Sequence, residues 1–416
     1  MTRNVTDIAI VGGGIAGLAL ALGLKQRGIA SRVFEVAPEI KPLGVGITIL
    51  PHAMRELSAL GLGEAVAAAG VENAESAFFN RFGQLIYKEK RGRAAGYAYP
   101  EVGIHRGRLH AIMWDAAVRE LGGENLVLNR RCIGLEQDSD AVTLHFQETA
   151  TGEASEPVRA RIVLACDGVN SAVRKQFYPD EELAFEGINT WRGVARGRPM
   201  LGGHTYVRIG SIKTGKIVLY PIVDNYDAAG NQLINFTSEA PLSGRPKNDW
   251  NKPGKLEDMW PIYESFRFDW VDVPELLTNY EVLLEYPMVD RDPVDRWTFG
   301  RAALVGDAAH PMYPRGSNGA AQALLDAHTL ADLLAAAKDP VAALTEYERL
   351  RLPLANKVVQ TNRKTPPDFI NIKVEELVGD RPFDNLDRYI SQDELRALSD
   401  NYKRIAGFSP QDLAAK

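Results

Sequence analysis

The 416-residue sequence has only two cysteines, Cys132 and Cys166, which lie far apart and outside any Cys-x-x-Cys motif. This spacing argues against a disulfide framework and against dithiol redox chemistry, and it fits a reducing compartment. No run reaches the roughly 18 apolar residues of a membrane span. An excess of positive charge is also missing, because 48 basic residues stand against 54 acidic ones, a net charge of −6. We therefore expect no nucleic-acid partner.

The sequence also lacks the signals of secreted, repeat and metal-binding proteins. The first residues show no cationic region followed by an apolar one, so we predict no secretory signal and a cytoplasmic location. The chain carries no internal repeat and no low-complexity tract, and we predict no metal site. Its length exceeds that of one typical domain, which favours two interleaved lobes with large cores.

The feature that is present is a glycine-rich turn near the start, IAIVGGGIAGLALA. An apolar run typical of a buried parallel strand meets Gly12-x-Gly14-x-x-Gly17, and helix-forming residues follow at once. Gly12 permits the turn, Gly14 leaves room for a pyrophosphate, and Gly17 lets helix and strand pack closely. Glu35 ends a second strand about 20 residues later, where it can accept hydrogen bonds from ribose hydroxyls. The pattern predicts a dinucleotide site.

Two more buried strands end in turns that favour ligand binding. One runs over 162–165 and ends at Asp167-Gly168, and the other runs over 302–305 and ends at Gly306-Asp307. Ligands of parallel sheets sit at these carboxyl ends. After the second strand, a small-residue loop leads into a helix, whose first N–H groups can face an electron-rich atom. Asp167 taken alone could also be an ordinary turn residue.

Two segments between these signals are predicted to reach the same ligand. The loop 42–47 is spaced by glycines, so Val45 and Gly46 either contact the ring of the cofactor or form a plain turn. Arg106 precedes a predicted helix over 109–121 and is placed to meet a phosphate or the cofactor ring. The alternative for Arg106 is a surface arginine at a helix start.

From 182 to 290 the pattern changes to short strands with aromatic residues, which predicts a mixed sheet inserted into the first domain. The strands are expected at 190–192, 205–209, 216–221, 233–237 and 281–288, with a helical cover over 248–274 whose aromatics belong to the core. We predict an α/β protein with a Rossmann-like cofactor domain at 1–181 and 291–337. The substrate domain is 182–290, and C-terminal helices occupy 338–416.

Taken in order, the three turn signals resemble the fingerprints of one family. These are the glycines with Glu35, Asp167-Gly168-x-x-Ser171-x-x-Arg174, and Gly306-Asp307 with Pro314-x-Gly316-x-Asn318-Gly319. They are similar to those of the single-component (group A) FAD-dependent aromatic hydroxylases of the para-hydroxybenzoate hydroxylase type. Trp191-Arg192-Gly193 and the run 286–293 are most similar to the phenazine-pathway, salicylate and 3-hydroxybenzoate hydroxylases. The resemblance covers nearly the whole chain.

The resemblance implies a non-covalent FAD, and NADH or NADPH as a transient co-substrate, since only one full glycine motif exists. O₂ would add at flavin C4a, and the resulting hydroperoxide would hydroxylate an aromatic or N-heteroaromatic ring. The backbone at Cys132 would meet the adenine, Asp307 a ribityl or phosphate-linked hydroxyl, and Asp167 both FAD and reductant. The predicted cofactor-binding residues are Gly12, Gly14, Ala16, Gly17, Glu35, Val45, Gly46, Arg106, Cys132, Asp167, Asp307, Pro314, Gly316, Asn318 and Gly319.

Four residues of the family's substrate-side segments are candidates for the reacting ring. Tyr220 and Arg315 are predicted to be catalytic, and Arg192 and Tyr313 to bind substrate. Each has a structural alternative: Tyr220 could be sheet core, Arg192 could pair with an acid, and Arg315 could point to solvent or to an internal acid. His310 is predicted to be a structural partner of its loop rather than a base.

Two other functions share parts of this pattern. A flavin-dependent halogenase would carry a Trp-x-Trp-x-Ile-Pro segment, which the sequence lacks. A non-catalytic dinucleotide-binding protein would bind the cofactor without oxidising NAD(P)H in the presence of any aromatic. The sequence leaves the substrate, the position hydroxylated and the choice between monomer and homodimer open.

Overall fold

The computed structural model describes residues 6–42, 44–241 and 252–414. Leu43 of the predicted 42–47 loop and the first part of the predicted cover, 248–251, lie outside the described residues.

The strands in chain order are β1 Thr6–Val11, β2 Ser31–Phe34, β3 Gly46–Ile49, β4 Val71–Glu72, β5 Glu75–Phe79, β6 Leu85–Lys90, β7 Val102–His105, β8 Leu126–Val127, β9 Arg131–Gln137, β10 Val142–Gln147, β11 Ala154–Ala165, β12 Ala184–Gly197, β13 Thr205–Ser211, β14 Gly215–Val223, β15 Gln232–Pro241, β16 Lys252–Pro253, β17 Arg267–Phe268, β18 Val271–Asp272, β19 Tyr280–Asp290, β20 Thr298–Phe299 and β21 Ala302–Leu304. The α-helices are α1 Ile15–Gln26, α2 Pro51–Ala59, α3 Gly63–Ala69, α4 Arg106–Leu121, α5 Ala172–Phe177, α6 Leu256–Tyr263, α7 Val273–Thr278, α8 Gly319–Ala336, α9 Pro340–Lys364, α10 Phe369–Val378, α11 Gln392–Ala406 and α12 Pro410–Ala414.

The first sheet has the order β20-β21-β11-β1-β2-β8, with β10 and β9 added in turn beyond β11. Its central strands β21, β11, β1, β2 and β8 are all parallel, as the apolar runs predict. β1 is buried on both faces, since Ala9 and Ile10 have no exposed surface. The predicted Rossmann-like core is therefore confirmed.

The second sheet has the order β16-β19-β12-β15-β14-β13-β5-β6. The five strands predicted for the substrate domain fall within β12, β13, β14, β15 and β19. However, the sheet also takes in β5 and β6, because β5 pairs in parallel with β13. The predicted boundary at 181/182 left these two strands out of the substrate sheet.

Side chains alternate between two different environments along this sheet. On one face, Trp191, Ile217 and Phe236 form a core with Tyr263 of α6, so the predicted cover packs here as expected. The opposite face carries Arg192, Tyr220 and Asn235, and it meets the loops that follow β2 and β21. We call this second surface the front face.

The front face also buries a network of charges next to α10. Lys216 of β14 lies 2.7 Å from Glu239 of β15 and 2.5 Å from Asp368, which precedes α10. Arg208 of β13 binds Asp368 at 2.9 Å. Although burial raises it, the charges of Lys216 and Arg208 lower the pKa of Asp368 to about 2. The network fixes the C-terminal helices onto the substrate sheet.

Replacing Lys216 with methionine should destabilise the protein, because Glu239 and Asp368 would lose a buried counter-charge. Removing one partner of a buried ion pair costs about 3 to 5 kcal/mol, which urea unfolding can measure. Lys213→Met is the matched control, since Lys213 also binds an acid of α10, Glu376, but both side chains are half exposed. Equal stability of the Lys216 and Lys213 variants would contradict the structural role of the network.

Candidate active site

The three turn signals meet at one edge of the first sheet. Backbone hydrogen bonds join the strand ends directly: Gly12 N–H donates to Phe34 O at 2.8 Å and Cys166 N–H to Val11 O at 2.7 Å. Val305 N–H donates to Ala165 O at 2.9 Å. The carboxyl ends of β2, β1, β11 and β21 therefore lie side by side, as predicted.

The geometry of the first turn fits a pyrophosphate. Gly12 has a φ of +100°, and a Cβ on Gly17 would lie 2.0 Å from the Gly12 carbonyl oxygen. Both positions therefore require glycine. By contrast, a Cβ on Gly14 would meet no atom within 4 Å. Gly14 stands immediately before α1, so the open space lies at the positive end of that helix.

Glu35 is held in place beside this turn. Its two carboxylate oxygens accept the N–H groups of Gly13 at 2.6 Å and Ala37 at 2.8 Å. Each oxygen keeps a further lone pair with which it can accept a ribose hydroxyl. Two residues of α4 that the sequence analysis missed complete the turn: a ring nitrogen of His110 lies 2.6 Å from Gly13 O, and the Trp114 ring packs beside Gly13. Their spacing of four residues on one helix face was the available signal.

The second and third fingerprints are bonded to each other. Arg174, buried at the N-terminal half of α5, donates to Ala308 O at 2.9 Å and Ala309 O at 2.7 Å. Asp167 Oδ2 accepts the Ala172 N–H at 2.9 Å. Its Oδ1 is buried without a partner among the residues described, and burial raises the pKa of this carboxyl. An unpartnered buried oxygen is the feature that a hydroxyl-rich cofactor would satisfy.

Asp307 has the exposure expected of a cofactor ligand. It is exposed between the buried residues Gly306 and Ala308. A Cβ on Gly306 would lie 3.0 Å from the Cβ of Ala16, so the third turn packs directly on α1. His310, three residues on, lies 2.6 Å from Asp326 of α8. Its structural role stays a prediction.

The predicted ring-side segments contact each other and the substrate sheet. Arg106 N–H donates to Val45 O at 2.9 Å, while the side chain of Arg106 is exposed. Gly46 N–H donates to Asn235 Oδ1 of β15 at 2.7 Å. Cys132 lies in β9, where burial raises the pKa of its thiol to about 12. The contact of its backbone with adenine stays a prediction.

The loop 314–319 passes between this edge and the front face. Pro314 is exposed, Gly316 has a φ of +83°, and Asn318 and Gly319 begin α8. The predicted cofactor residues of the three fingerprints thus lie on turns, loops and helix starts, whereas Gly46 begins β3 and Cys132 lies in β9.

A few side chains in the centre of the front face are partly accessible. Arg192 of β12 and Thr237 of β15 are direct cross-strand partners. Both are partly accessible, although Thr190, Val194, Asn235 and Glu239 on the same face are buried. Leu284 of β19, the next partner of Arg192, is also partly accessible. Arg192, Thr237 and Leu284 thus form one partly accessible row across three strands, which we call the open row.

Tyr220, Tyr313 and Arg315 are buried. The ring of Tyr220 stacks on Tyr206 with centroids 5.0 Å apart, and burial raises the pKa of its hydroxyl. Arg315 lies 2.7 Å from Glu186 and 3.4 Å from Glu239. This pairing favours the internal-acid alternative for Arg315 over a direct contact with substrate. The substrate and catalytic roles of all four candidates stay predictions.

Comparison with known proteins decides the family. An FAD binding domain model matches residues 5–194 and 283–362. The phenazine 1,6-dicarboxylic acid hydroxylase PhzS of Lysobacter antibioticus is 40% identical over 367 residues, 87% of this chain and 90% of that protein. The chain belongs to the single-component FAD-dependent aromatic hydroxylases.

A second relative agrees with this assignment, and a solved structure shares the fold. A 3-hydroxybenzoate 6-hydroxylase of Polaromonas naphthalenivorans is 29% identical over 391 residues, 91% of this chain and 92% of that protein. The crystal structure of Klebsiella pneumoniae HpxO with FAD and uric acid has a TM-score of 0.73 at 23% identity and covers 96% of this chain and 92% of that one. The chain is an FAD- and NAD(P)H-dependent aromatic monooxygenase. Along the described stretches, no helix is both long and apolar enough to cross a membrane.

Glu35→Ala and Asp307→Ala should each weaken FAD retention. Loss of a charge-assisted hydrogen bond costs roughly 1.5 to 3 kcal/mol, which is about ten- to a hundredfold in affinity. The dissociation constant of FAD from the apoprotein is the measurement. Glu39→Ala is the control, because Glu39 is exposed and pairs with Lys41. Wild-type affinity in both test variants would remove these residues from the cofactor site.

Proposed function

We propose that the protein hydroxylates an aromatic or N-heteroaromatic carboxylate whose acid group binds Arg192. The observation that supports this is the difference in ion pairing among the cations of the front face. Arg208, Lys216 and Arg315 each lie within 4 Å of a carboxylate, whereas no ion pair of Arg192 occurs across the described residues. The Nε of Arg192 is buried and has no hydrogen-bond partner there.

The carboxylate that most favours the charge on Arg192 already pairs with other cations. Glu239 favours the charge on Arg192, but its carboxylate is bonded to Lys216 and Arg315. Burial lowers the pKa of Arg192 because it removes water from the guanidinium. A carboxylate that arrives with the substrate would restore this lost solvation, and the planar fork could hold it through two hydrogen bonds.

The surroundings of Arg192 suit an aromatic ring. Its guanidinium lies 5.5 Å from the ring centroid of Tyr286, and Leu284 and Thr237 flank it in the open row. The chemistry supplied by bound FAD is oxidation of NAD(P)H and activation of O₂. The chain would orient the ring from the front face and exclude water with the loops at 44–46 and 314–319.

The similarity to a phenazine dicarboxylic acid hydroxylase supports this substrate class, since that relative's substrate is an N-heteroaromatic with acid groups. We also propose a cytoplasmic enzyme, because both cysteines are buried free thiols. The choice between monomer and homodimer stays open, as does that between NADH and NADPH.

The test of the function is a screen of aromatic and N-heteroaromatic acids in the presence of ¹⁸O₂. NAD(P)H oxidation should rise with one acid, and its product should gain one ¹⁸O atom. Stimulated oxidation without a labelled product would show an effector rather than a substrate. Halide incorporation, or no response to any aromatic, would favour a halogenase or a non-catalytic binding protein.

Arg192→Met should raise the KM for the carboxylated substrate by about ten- to a hundredfold, from roughly 1.5 to 3 kcal/mol of lost charge-assisted bonding. FAD affinity should change little. Arg196→Met is the matched control, four residues along the same strand, where Arg196 is exposed and faces Asp227.

Arg315→Met gives a second comparison. Because Arg315 already holds two internal carboxylates, its loss should lower stability and change KM less than the loss of Arg192. An equal KM in wild type and the Arg192 variant, or a larger rise in the Arg315 variant, would reassign the anchor.

A further inference from the structure

Two ring side chains of α4 contact the first glycine turn. A ring nitrogen of His110, Nε2, lies 2.6 Å from Gly13 O. Trp114 packs beside the same residue, since a Cβ on Gly13 would lie 3.1 Å from its ring. The two rings are neighbours on α4, with centroids 6.2 Å apart. Neither residue belongs to the three fingerprints, although both touch the turn that the first fingerprint defines.

Gly13 is held at both of its peptide groups. Its N–H donates to Glu35 Oε2 at 2.6 Å, which fixes the peptide that joins it to Gly12. Its carbonyl oxygen can only accept, so the ring nitrogen of His110 carries the proton of the second bond. That bond fixes the next peptide, between Gly13 and Gly14. Glu35 and His110 together therefore set two successive peptide planes of the turn.

The orientation of the second peptide determines where the Gly14 N–H points. No peptide bond in the described residues is cis, and the C=O and N–H groups of a trans peptide point in opposite directions. Because Gly13 O faces His110, the Gly14 N–H faces away from α4. This N–H has no hydrogen-bond partner among the described residues, and Gly14 is partly accessible at the start of α1. An unpartnered donor at the positive end of a helix is available to an anion.

We infer that His110 is a positioning residue that directs the Gly14 N–H toward the pyrophosphate of FAD. Without its bond, the peptide between Gly13 and Gly14 could rotate, since glycine on both sides permits many backbone conformations. The bond holds the turn in one conformation before the cofactor arrives, which lowers the entropy cost of binding. The inference rests on the assignment of FAD to the glycine turn, and it makes the packing of α4 on that turn a condition for tight cofactor binding.

The test measures FAD binding to the apoprotein and does not depend on turnover. His110→Phe keeps a ring beside Trp114 and removes the donor. We expect the dissociation constant of FAD to rise about tenfold, the worth of about one hydrogen bond to a charged group. The ³¹P resonances of bound FAD should shift, because the pyrophosphate loses a donor. The visible absorption band should stay unchanged, because the predicted ring-side residues lie on other segments.

Two further variants separate the orientation of the turn from simple packing. His110→Gln places an amide N–H close to the position of Nε2, so it should restore most of the affinity and the wild-type ³¹P resonances. His204→Phe is the matched control. A ring nitrogen of His204 also lies near a backbone carbonyl, 3.1 Å from Glu72 O, but it precedes β13 of the substrate sheet. This variant should bind FAD like the wild type.

The inference is overturned if His110→Phe binds FAD with wild-type affinity or with unchanged ³¹P resonances. It is also overturned if His110→Gln binds as weakly as His110→Phe, or if His204→Phe loses as much affinity. Thermal melting of each apoprotein shows whether it is folded. A His110→Phe apoprotein that does not fold would contradict the inference as well, since the bond is assigned to orient the turn and not to hold the fold. Hydroxylation of an aromatic acid by the wild type is a separate observation, so the substrate proposal stands or falls independently.

Discussion

The contact between Gly46 and Asn235 sets the distance between the two halves of the site. The Gly46 N–H bonds the side-chain oxygen of Asn235 at 2.7 Å, and a Cβ on Gly46 would lie 2.5 Å from the Asn235 Cβ. No other residue type allows this approach without displacing the strand. Because β3 belongs to the cofactor side and β15 to the substrate sheet, the contact holds the ring-side loop against the front face.

Buried charge serves two different purposes on the front face. Lys216, Arg208 and Asp368 neutralise one another, and their bonds tie the substrate sheet to the C-terminal helices. Arg315 extends this network into the loop 314–319. Arg192 stands apart, because it is desolvated and no carboxylate among the described residues forms an ion pair with it. Removing one member of a buried ion pair destabilises the fold, whereas an unpaired buried cation favours an anionic ligand.

The cofactor half of the protein could be predicted from sequence because its signals are local. Gly12, Gly14 and Gly17 encode a turn within six residues, and the apolar strand before them reveals its burial directly. Contacts between residues that are far apart in the sequence have no such local signal. The pairing of β5 with β13, which carried β5 into the substrate sheet, depends on a contact between segments some 130 residues apart. The partners of Arg315 likewise became apparent only once strand register and helix docking were known.

The proposed role of Arg192 is tested most directly by a crystal structure of the FAD-loaded protein with the aromatic acid that it hydroxylates. We expect the carboxylate to be bonded to the Arg192 guanidinium, with the ring lying between the front face and the loop 314–319. Glu186 and Glu239 should still hold Arg315. A substrate carboxylate bound to Arg315, or a ring located away from the open row of Arg192 and Thr237, would contradict it.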